Sequence, residues 1–274
     1  MQEFEEKQLS FELPGYTLLP GEPTGISRHP RWIKRSAPVA LLLWGLTWLW
    51  LGPPPWSFWL TLLHAVLFAA AILAPLVMYA LVRYRGPFRQ PGEFLPILYR
   101  PDRVRLAAEG TLWFSNTPTR PGSTFPMMLE PRGIHWARFQ AIDGGPEFLF
   151  VNAHLGHAPW HYEGSARLLL ELLARERPAP DAPAFLVGDF NALPQAGVMR
   201  RLLAVYRDAR EDAVEKVGPD ATFQWMLAPG MTPLRLDHVL YAGSVRAVRA
   251  RVLTPRSPEG RPASDHDPVV VDFE

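Results

Sequence analysis

The chain has 274 residues, which is enough for one sizeable core, or for one core together with a membrane element. It contains no cysteine, so disulfides, thiolate-bound zinc and a cysteine nucleophile are excluded. Its formal net charge of +1 neither favours nor excludes a nucleic-acid partner.

Two long uncharged stretches come first along the chain and predict a membrane hairpin. They cover 38–52 and 56–82 and are separated by three prolines. Crossing a bilayer takes roughly 20 apolar residues, so the second stretch is long enough and the first only if it begins near Ser36. Basic residues on both flanks place those flanks in the cytoplasm. We therefore predict a two-span membrane protein with the lipid bilayer as a partner. A buried soluble hairpin, or a first segment that only dips into the interface, is the alternative.

The remainder of the chain alternates short strands with two helices. Strands are predicted over 93–99, 104–114, 133–141, 147–153, 184–187, 236–241, 245–253 and 269–273. Leucines at helical spacing predict a helix over 165–177, and a second amphipathic helix is predicted over 197–206. Because several strands are apolar on both faces, we expect an α/β architecture with its sheets in the interior.

Four short runs carry the polar side chains of a candidate site. They are Val151-Asn152-Ala153-His154-Leu155, Gly188-Asp189-Phe190-Asn191, Leu236-Asp237-His238-Val239 and Ser264-Asp265-His266-Asp267-Pro268. We expect the polar side chains that follow the ends of several buried strands to meet at one edge of a sheet. Carboxylate and amide oxygens with two imidazoles are typical of a hard-metal site with a general base beside it.

These runs, in this order, resemble the endonuclease/exonuclease/phosphatase superfamily of DNase I-like enzymes. The resemblance covers 2–16 and then Gly92 to the end. It implies an α/β fold of the α+β type, a four-layer sandwich of two packed β-sheets flanked by helices. The two-helix hairpin is then an insertion over 28–90, between the start of the phosphoesterase domain, 1–27, and its remainder, 91–274.

The resemblance also implies a role for each of ten residues. Catalysis is expected from His154, Asp189, Asn191, Asp237 and His266. The other implied roles are substrate binding by Arg132 and Asn152, orientation of His154 by Glu93, and binding of Mg²⁺ or Mn²⁺ by Glu3 and Asp265. An Asp237–His266 pair would fix the tautomer of an imidazole that takes the proton of the attacking water. No role is assigned to His238.

The implied activity is that of a membrane-anchored, divalent-metal-dependent phosphoester hydrolase with its catalytic domain in the cytoplasm. Its substrate could be a nucleic acid, a phospholipid or an inositol phosphate, and no obligate protein partner is expected. A zinc site at His154, His157 and His161 is a weaker alternative, because Gly156 and Pro159 interrupt any regular helix there.

A catalytically impaired module that binds phosphate compounds at the membrane is a second alternative. It arises because the family's opening strand, which ends in an Asn metal ligand, has no counterpart before Gln2. Either the sequence lacks its true beginning, or another segment takes the place of that strand.

Overall fold

A six-stranded sheet organises the part of the chain that the computed structural model describes, residues 15–19, 95–128, 130–224, 232–262 and 264–274. The strands are β1 Thr17–Leu19, β2 Ile97–Tyr99, β3 Val104–Trp113, β4 Gly133–Ala141, β5 Glu147–Ala153, β6 Ala184–Asp189, β7 Arg207–Asp208, β8 Glu215–Val217, β9 Asp237–Ala242, β10 Ala247–Val252 and β11 Val269–Phe273. The helices are α1 Tyr162–Glu176, which follows a 3₁₀ turn over Pro159–His161, α2 Gly197–Leu202 and α3 Ala209–Asp212.

The sheet order explains why the motif runs meet. The six-stranded sheet has the order β3-β4-β5-β6-β9-β7, and a three-stranded sheet has the order β11-β10-β8. β5 and β6 are parallel neighbours, so the residues that follow them leave the sheet at the same edge. β9 is antiparallel to β6, and its first residue, Asp237, is paired with Asp189, the last residue of β6. Three motif runs are therefore adjacent at one edge of the sheet.

Alternating residues of β6 and β9 supply two separate cores. Leu186 and Leu240 are fully buried against the leucines of α1 and the apolar side of α2. On the other face, Phe185 and Tyr241 pack against the three-stranded sheet, where both rings contact Phe273. The layers are thus helices, six-stranded sheet and three-stranded sheet.

This arrangement confirms the predicted mixed α/β fold. The full four-layer sandwich stays a prediction, because α1, α2 and α3 are the only α-helices among the described residues, and α1 and α2 pack on the six-stranded sheet.

Several predicted bounds need correction. α1 begins at Tyr162, three residues before the predicted start at Ser165. α2 ends at Leu202 rather than at 206, because the chain turns there and buries Tyr206. The elements β7, α3 and β8 were not predicted, since strands of two or three residues have no readable period.

The predicted membrane location is contradicted by the structure. No helix in the described ranges is long and apolar enough to cross a membrane. The stretches 38–52 and 56–82, on which the two-span hairpin depended, lie outside the described residues, as does the segment before Gly15 that bears on the missing first strand. The domain limits near 27 and 90 stay predictions.

Gly188 allows the ends of β5 and β6 to approach each other. Its φ is +134°, and a β-carbon at this position would overlap the carbonyl oxygen of Ala153. The close approach lets the N–H of Leu155 donate to the carbonyl of Asp189 at 2.9 Å. Only glycine combines this φ with the absence of a side chain.

Gly188→Ala is therefore expected to lower the free energy of unfolding by about 3 kcal/mol or more, because it adds backbone overlap to a strained φ. Gly122→Ala is the matched control: its φ is +70°, but nothing lies within 4 Å of the added β-carbon. That change should cost about 1–2 kcal/mol from the left-handed conformation alone. Equal losses for the two variants in urea denaturation would contradict the close-approach argument.

A buried ion pair fixes the segment that leads into β9. Both Nη2 contacts from Arg235 to the carboxylate of Asp208 are 2.6 Å, and both side chains are about 5% exposed. Asp208 also caps α3 by accepting from the N–H of Arg210 at 2.9 Å. Burial alone would raise the pKa of Asp208, but the nearby His238 and Arg235 outweigh it and hold the pKa below its usual value.

This lowered pKa predicts how acid affects stability. A carboxyl with a depressed folded-state pKa contributes stability above its unfolded value of about 3.9, and the contribution is lost as the pH falls through the folded value. Asp208→Asn should cost about 3 kcal/mol at neutral pH, because the buried Nη2 of Arg235 loses its carboxylate while Nη1 keeps its ion pair with Glu211. The difference from wild type should shrink as the pH is lowered below about 4.

Urea denaturation over a pH series measures this difference. Asp143→Asn, in an exposed turn, is the control and should cost little at any pH. A cost for Asp208→Asn that does not change with pH would count against the ionic role of Asp208.

Candidate active site

One cleft of about 1500 Å³ lies at the sheet edge where the motif runs meet. The motif side chains that line it are His154, Asp189, Asn191, Asp237, Asp265 and His266. Arg132 and His157 line it as well. With Arg132 included, seven of the ten residues that were given roles from the sequence therefore line this cleft.

His266 and Asp237 form a hydrogen-bonded pair. His266 Nδ1 donates to Asp237 Oδ2 at 2.7 Å, and the same oxygen accepts from Thr222 Oγ1 at 2.6 Å. The hydrogen bond to Asp237 raises the pKa of His266 despite partial burial, and the charges of Asp189 and Asp265 act in the same direction. The pair leaves Nε2 of His266 directed toward the cleft, 3.8 Å from Asp189 Oδ2.

Thr222 ties this pair to the backbone of β9. Its hydroxyl accepts from the N–H of Leu236 at 3.1 Å and from the N–H of Asp237 at 3.0 Å, and its side chain is buried. The neighbouring Phe223 ring packs on the His266 imidazole, with 4.9 Å between ring centroids. The imidazole is therefore held by both a hydrogen bond and a ring contact.

His154 and Asp189 form a second histidine–carboxylate pair. Nε2 of His154 lies 3.2 Å from Asp189 Oδ2, and Arg132 Nη1 lies 2.9 Å from Nδ1 of the same ring. The same Arg132 Nη1 lies 2.7 Å from Nε2, so the guanidinium contacts both ring nitrogens of His154. Burial by itself would raise the pKa of Asp189, but His154 and the N–H of Asn191 hold it below its usual value.

Arg132 is the centre of a polar cluster beside His154. It is only 4% exposed, and its Nη2 lies 3.2 Å from Glu130 Oε2 and 3.4 Å from His157 Nε2. Burial, and then the charge of Arg132, lower the pKa of His157, which favours the neutral form of this imidazole. The cluster puts one positive charge and one neutral imidazole on the same side of the cleft.

Asn191 shapes the loop that follows β6. Its φ is +47°, a left-handed conformation that Asn tolerates better than most residues. Its N–H donates to Asp189 Oδ1 at 2.8 Å, its side-chain amide donates to the carbonyl of Leu155 at 2.8 Å, and its carbonyl accepts from Tyr162 at 2.9 Å. These bonds fix the direction of the Asp189 carboxylate.

His238, for which no role was predicted, is bonded to the same loop. It is 2% exposed, and its Nε2–H donates to the carbonyl of Ala192 at 3.0 Å. Its ring packs on Phe190, with 5.4 Å between centroids. Tyr162 and His238 were missed because a buried partner of a loop carbonyl has no motif of its own. The one indication in the sequence was that His238 adjoins Asp237.

The described residues include one group of side chains close enough to share a metal ion. Ligand atoms of Asp189, Asp237 and His266 all lie within 4.8 Å of one another. Two carboxylates and an asparagine beside them are oxygen ligands, which suit a hard divalent cation. Asp237 Oδ2 already accepts two hydrogen bonds, so Asp189 is the carboxylate of this group better placed to bind an ion. Asp265 is exposed and lines the same cleft.

One described residue with a predicted role does not line the cleft, and two others fall outside the described ranges. Asn152 is not one of the described residues lining it, and its side-chain amide donates to the carbonyl of Pro96 at 3.1 Å. Its substrate contact stays a prediction. Glu3 and Glu93 lie outside the described residues.

The alternative zinc site is not assembled. His161 is buried, stacks on Phe125 at 6.1 Å between ring centroids and lies 3.1 Å from the carbonyl of Pro126 through Nε2. His154 and His157 line the cleft, whereas His161 does not. The three histidines do not appear together in any metal-binding group among the described side chains.

The described residues thus combine a mixed α/β fold with two histidine–carboxylate pairs at one edge of its larger sheet. The chain belongs to the Endonuclease/Exonuclease/phosphatase family, whose model matches residues 13–266. This confirms the resemblance inferred from the motif runs. No curated protein matches the chain significantly.

Solved structures of similar bacterial proteins agree with this membership. A mannosyl-6-phosphatase from Bacteroides thetaiotaomicron is 31% identical, with 68% of this chain and 73% of that chain covered and a TM-score of 0.61. A family member from the same organism is 30% identical, covering 68% and 69%, with a TM-score of 0.61. A conserved protein from Enterococcus faecalis is 29% identical, covering 67% and 72%, also with a TM-score of 0.61.

Thr222→Val tests the support of the Asp237–His266 pair. Valine keeps the shape but leaves the buried N–H groups of Leu236 and Asp237 without their acceptor, which should cost about 2 kcal/mol or more. Thr222→Ser keeps the hydroxyl and should cost about 1 kcal/mol for the lost methyl group. Equilibrium denaturation compares the two variants, and a serine variant as unstable as the valine variant would refute the role of the hydroxyl.

Proposed function

We propose that this protein is a divalent-metal-dependent phosphoester hydrolase in which the Asp237–His266 pair activates the attacking water. The observation that carries the proposal is the position of His266, which is bonded to Asp237 at 2.7 Å while its Nε2 faces Asp189 at 3.8 Å. An imidazole held in this way, and open to a cleft on its other nitrogen, can accept a proton from a water placed between it and Asp189.

The remaining described groups suit the charge that develops on a phosphoryl group. Arg132 offers a guanidinium at the cleft, and Asn191 is held by its backbone and side-chain bonds in a fixed orientation. His154 lies between Arg132 and Asp189 and lines the same cleft, where its imidazole can contact a phosphoryl oxygen. Donors that are already oriented need no reorganisation during the reaction.

The donor set fits a hard cation. Asp189 and Asp265 are proposed to hold Mg²⁺ or Mn²⁺ together with Glu3, which lies outside the described residues. When bound, such an ion neutralises charge on the non-bridging oxygens of the phosphate. The oxygen-only character of Asp189 and Asp265 favours these ions over zinc.

A small phosphomonoester, such as a sugar phosphate, is proposed as the substrate. The similarity to the mannosyl-6-phosphatase, at 31% identity, supports this class. A nucleic acid, phospholipid or inositol phosphate is the alternative. The catalytically impaired module is disfavoured, because His154, Asp189, Asp237 and His266 are all present and lie together.

Single substitutions at the two ends of the proposed water site test the function. His266→Ala and Asp189→Ala should each lower kcat by about a thousandfold or more, since each removes a proton acceptor or an oriented carboxylate. Turnover of mannose 6-phosphate, plasmid DNA, a phospholipid and an inositol phosphate would be measured in Mg²⁺, with EDTA as the metal-free condition. Thermal unfolding would verify that both variants fold.

Glu171→Ala is the control, because Glu171 is exposed on α1 and bonded to Arg167 at 2.9 Å, away from the residues lining the cleft. It should retain wild-type turnover. Undiminished activity of folded His266→Ala, or full activity of the wild type in EDTA, would reject the proposed mechanism.

A further inference from the structure

The cleft extends well beyond the space that one phosphoryl group occupies. Its volume of about 1500 Å³ exceeds the 300–1,000 Å³ typical of small-ligand pockets. Beyond the histidine–carboxylate pairs, one wall is built from α2 and from the start of α1. The residues of that wall are Pro159, Tyr162, Glu163, Gln195, Arg200 and Arg201. The part of a substrate that is not the scissile phosphate would lie against this wall.

Three arginines line the described part of the cleft, and they differ in their partners. Arg132 is buried and pairs with Glu130 at 3.2 Å. Arg201 pairs with Glu163 at 2.5 Å. Arg200 is exposed, and no described side chain forms an ion pair or hydrogen bond with its guanidinium. Arg200 is therefore a positive charge in the cleft that no carboxylate in the described ranges neutralises.

The helix that carries Arg200 is fixed by packing. Val198, Met199 and Leu202 are fully buried, so the outer side of α2 is fixed relative to the sheet. At Gly197, Nη2 of Arg200 lies 3.9 Å from the position that a β-carbon would take, and among the described residues beyond its chain neighbours it is the one side-chain atom within 4 Å of that position. With no side chain at Gly197, the surface beneath and beside the guanidinium is open to a ligand.

We propose that Arg200 binds a second phosphate group of the substrate, so that the enzyme prefers phosphoesters carrying two phosphates to those carrying one. The inference rests on the proposed function, because it takes the first phosphate to be the one hydrolysed beside His266. A planar guanidinium with paired N–H donors matches phosphate oxygens, and its charge is opposite to that of the ligand. Gln195, on the same wall, adds a neutral donor.

The test compares two substrates that differ by one phosphate. Fructose 1,6-bisphosphate and fructose 6-phosphate would be assayed with the full chain in Mg²⁺ at constant ionic strength. Wild type should show at least about a tenfold higher kcat/KM for the bisphosphate, the value expected of one charge-assisted hydrogen bond. Arg200→Gln should remove this preference by raising KM for the bisphosphate only, and Arg200→Lys should restore part of it.

Arg167→Gln is the matched control. Arg167 is an exposed arginine on the neighbouring helix α1, but it is bonded to Glu171 and does not line the cleft. It should leave both substrates unchanged. If Arg200→Gln alters the two substrates equally, or neither, while the enzyme remains active, the second-phosphate site is wrong and the proposed function stands.

Binding measurements keep the inference testable apart from turnover. Calorimetry on His266→Ala should give at least about a tenfold lower Kd for the bisphosphate than on the double variant that also carries Arg200→Gln. Equal Kd values would overturn the inference even if no substrate were hydrolysed. A short single-stranded oligonucleotide, assayed alongside, identifies the source of the second phosphate: an Arg200-dependent preference for it would support the site with a polynucleotide as the ligand.

Discussion

One carboxylate oxygen connects the parts of the candidate site. Asp237 Oδ2 accepts from Thr222 and from His266, so three segments distant in sequence share a single acceptor. The same hydroxyl of Thr222 accepts from the backbone at the start of β9. If that acceptor were lost, the imidazole would lose its tautomer, its raised pKa and its direction together. The position of Asp189, paired with Asp237 across the β6–β9 ladder, then determines what the imidazole faces.

The carboxylates and imidazoles at this edge of the sheet are positioned by residues that pack behind them. Gly188 permits the close approach of β5 and β6 that brings His154 to Asp189. Arg235 and Asp208 form a buried ion pair, and its loss would disturb the segment that precedes β9. His238 continues this support, since it lies 3.8 Å from Asp208 and bonds to the loop that carries Asn191. The cleft is therefore shaped by buried polar groups that do not themselves line it.

Family membership and geometry address different questions. The family match over residues 13–266 establishes the kind of fold and makes phosphoester hydrolysis the expected chemistry. The substrate depends on the walls of the cleft, since one fold hosts many substrates. In this chain one wall of the cleft includes residues of α2, where Arg200 is exposed and Arg201 is paired with Glu163. The proposed second-phosphate site assigns substrate preference to this short helix rather than to the histidine–carboxylate pairs.

The sequence by itself determined the family, the two main helices, most longer strands and the polar runs that form the site. The spacing of apolar residues and the residues that favour turns are properties of short segments. The strands over 133–141, 147–153 and 269–273 were therefore predicted with the correct bounds. The apolar stretches also suggested a membrane location, which the structure contradicts. Only the tertiary structure decided that Thr222 and His238 hold the site and that Arg200 reaches the cleft. Those contacts join segments far apart in the chain, and no local pattern encodes a hydrogen bond across such a distance.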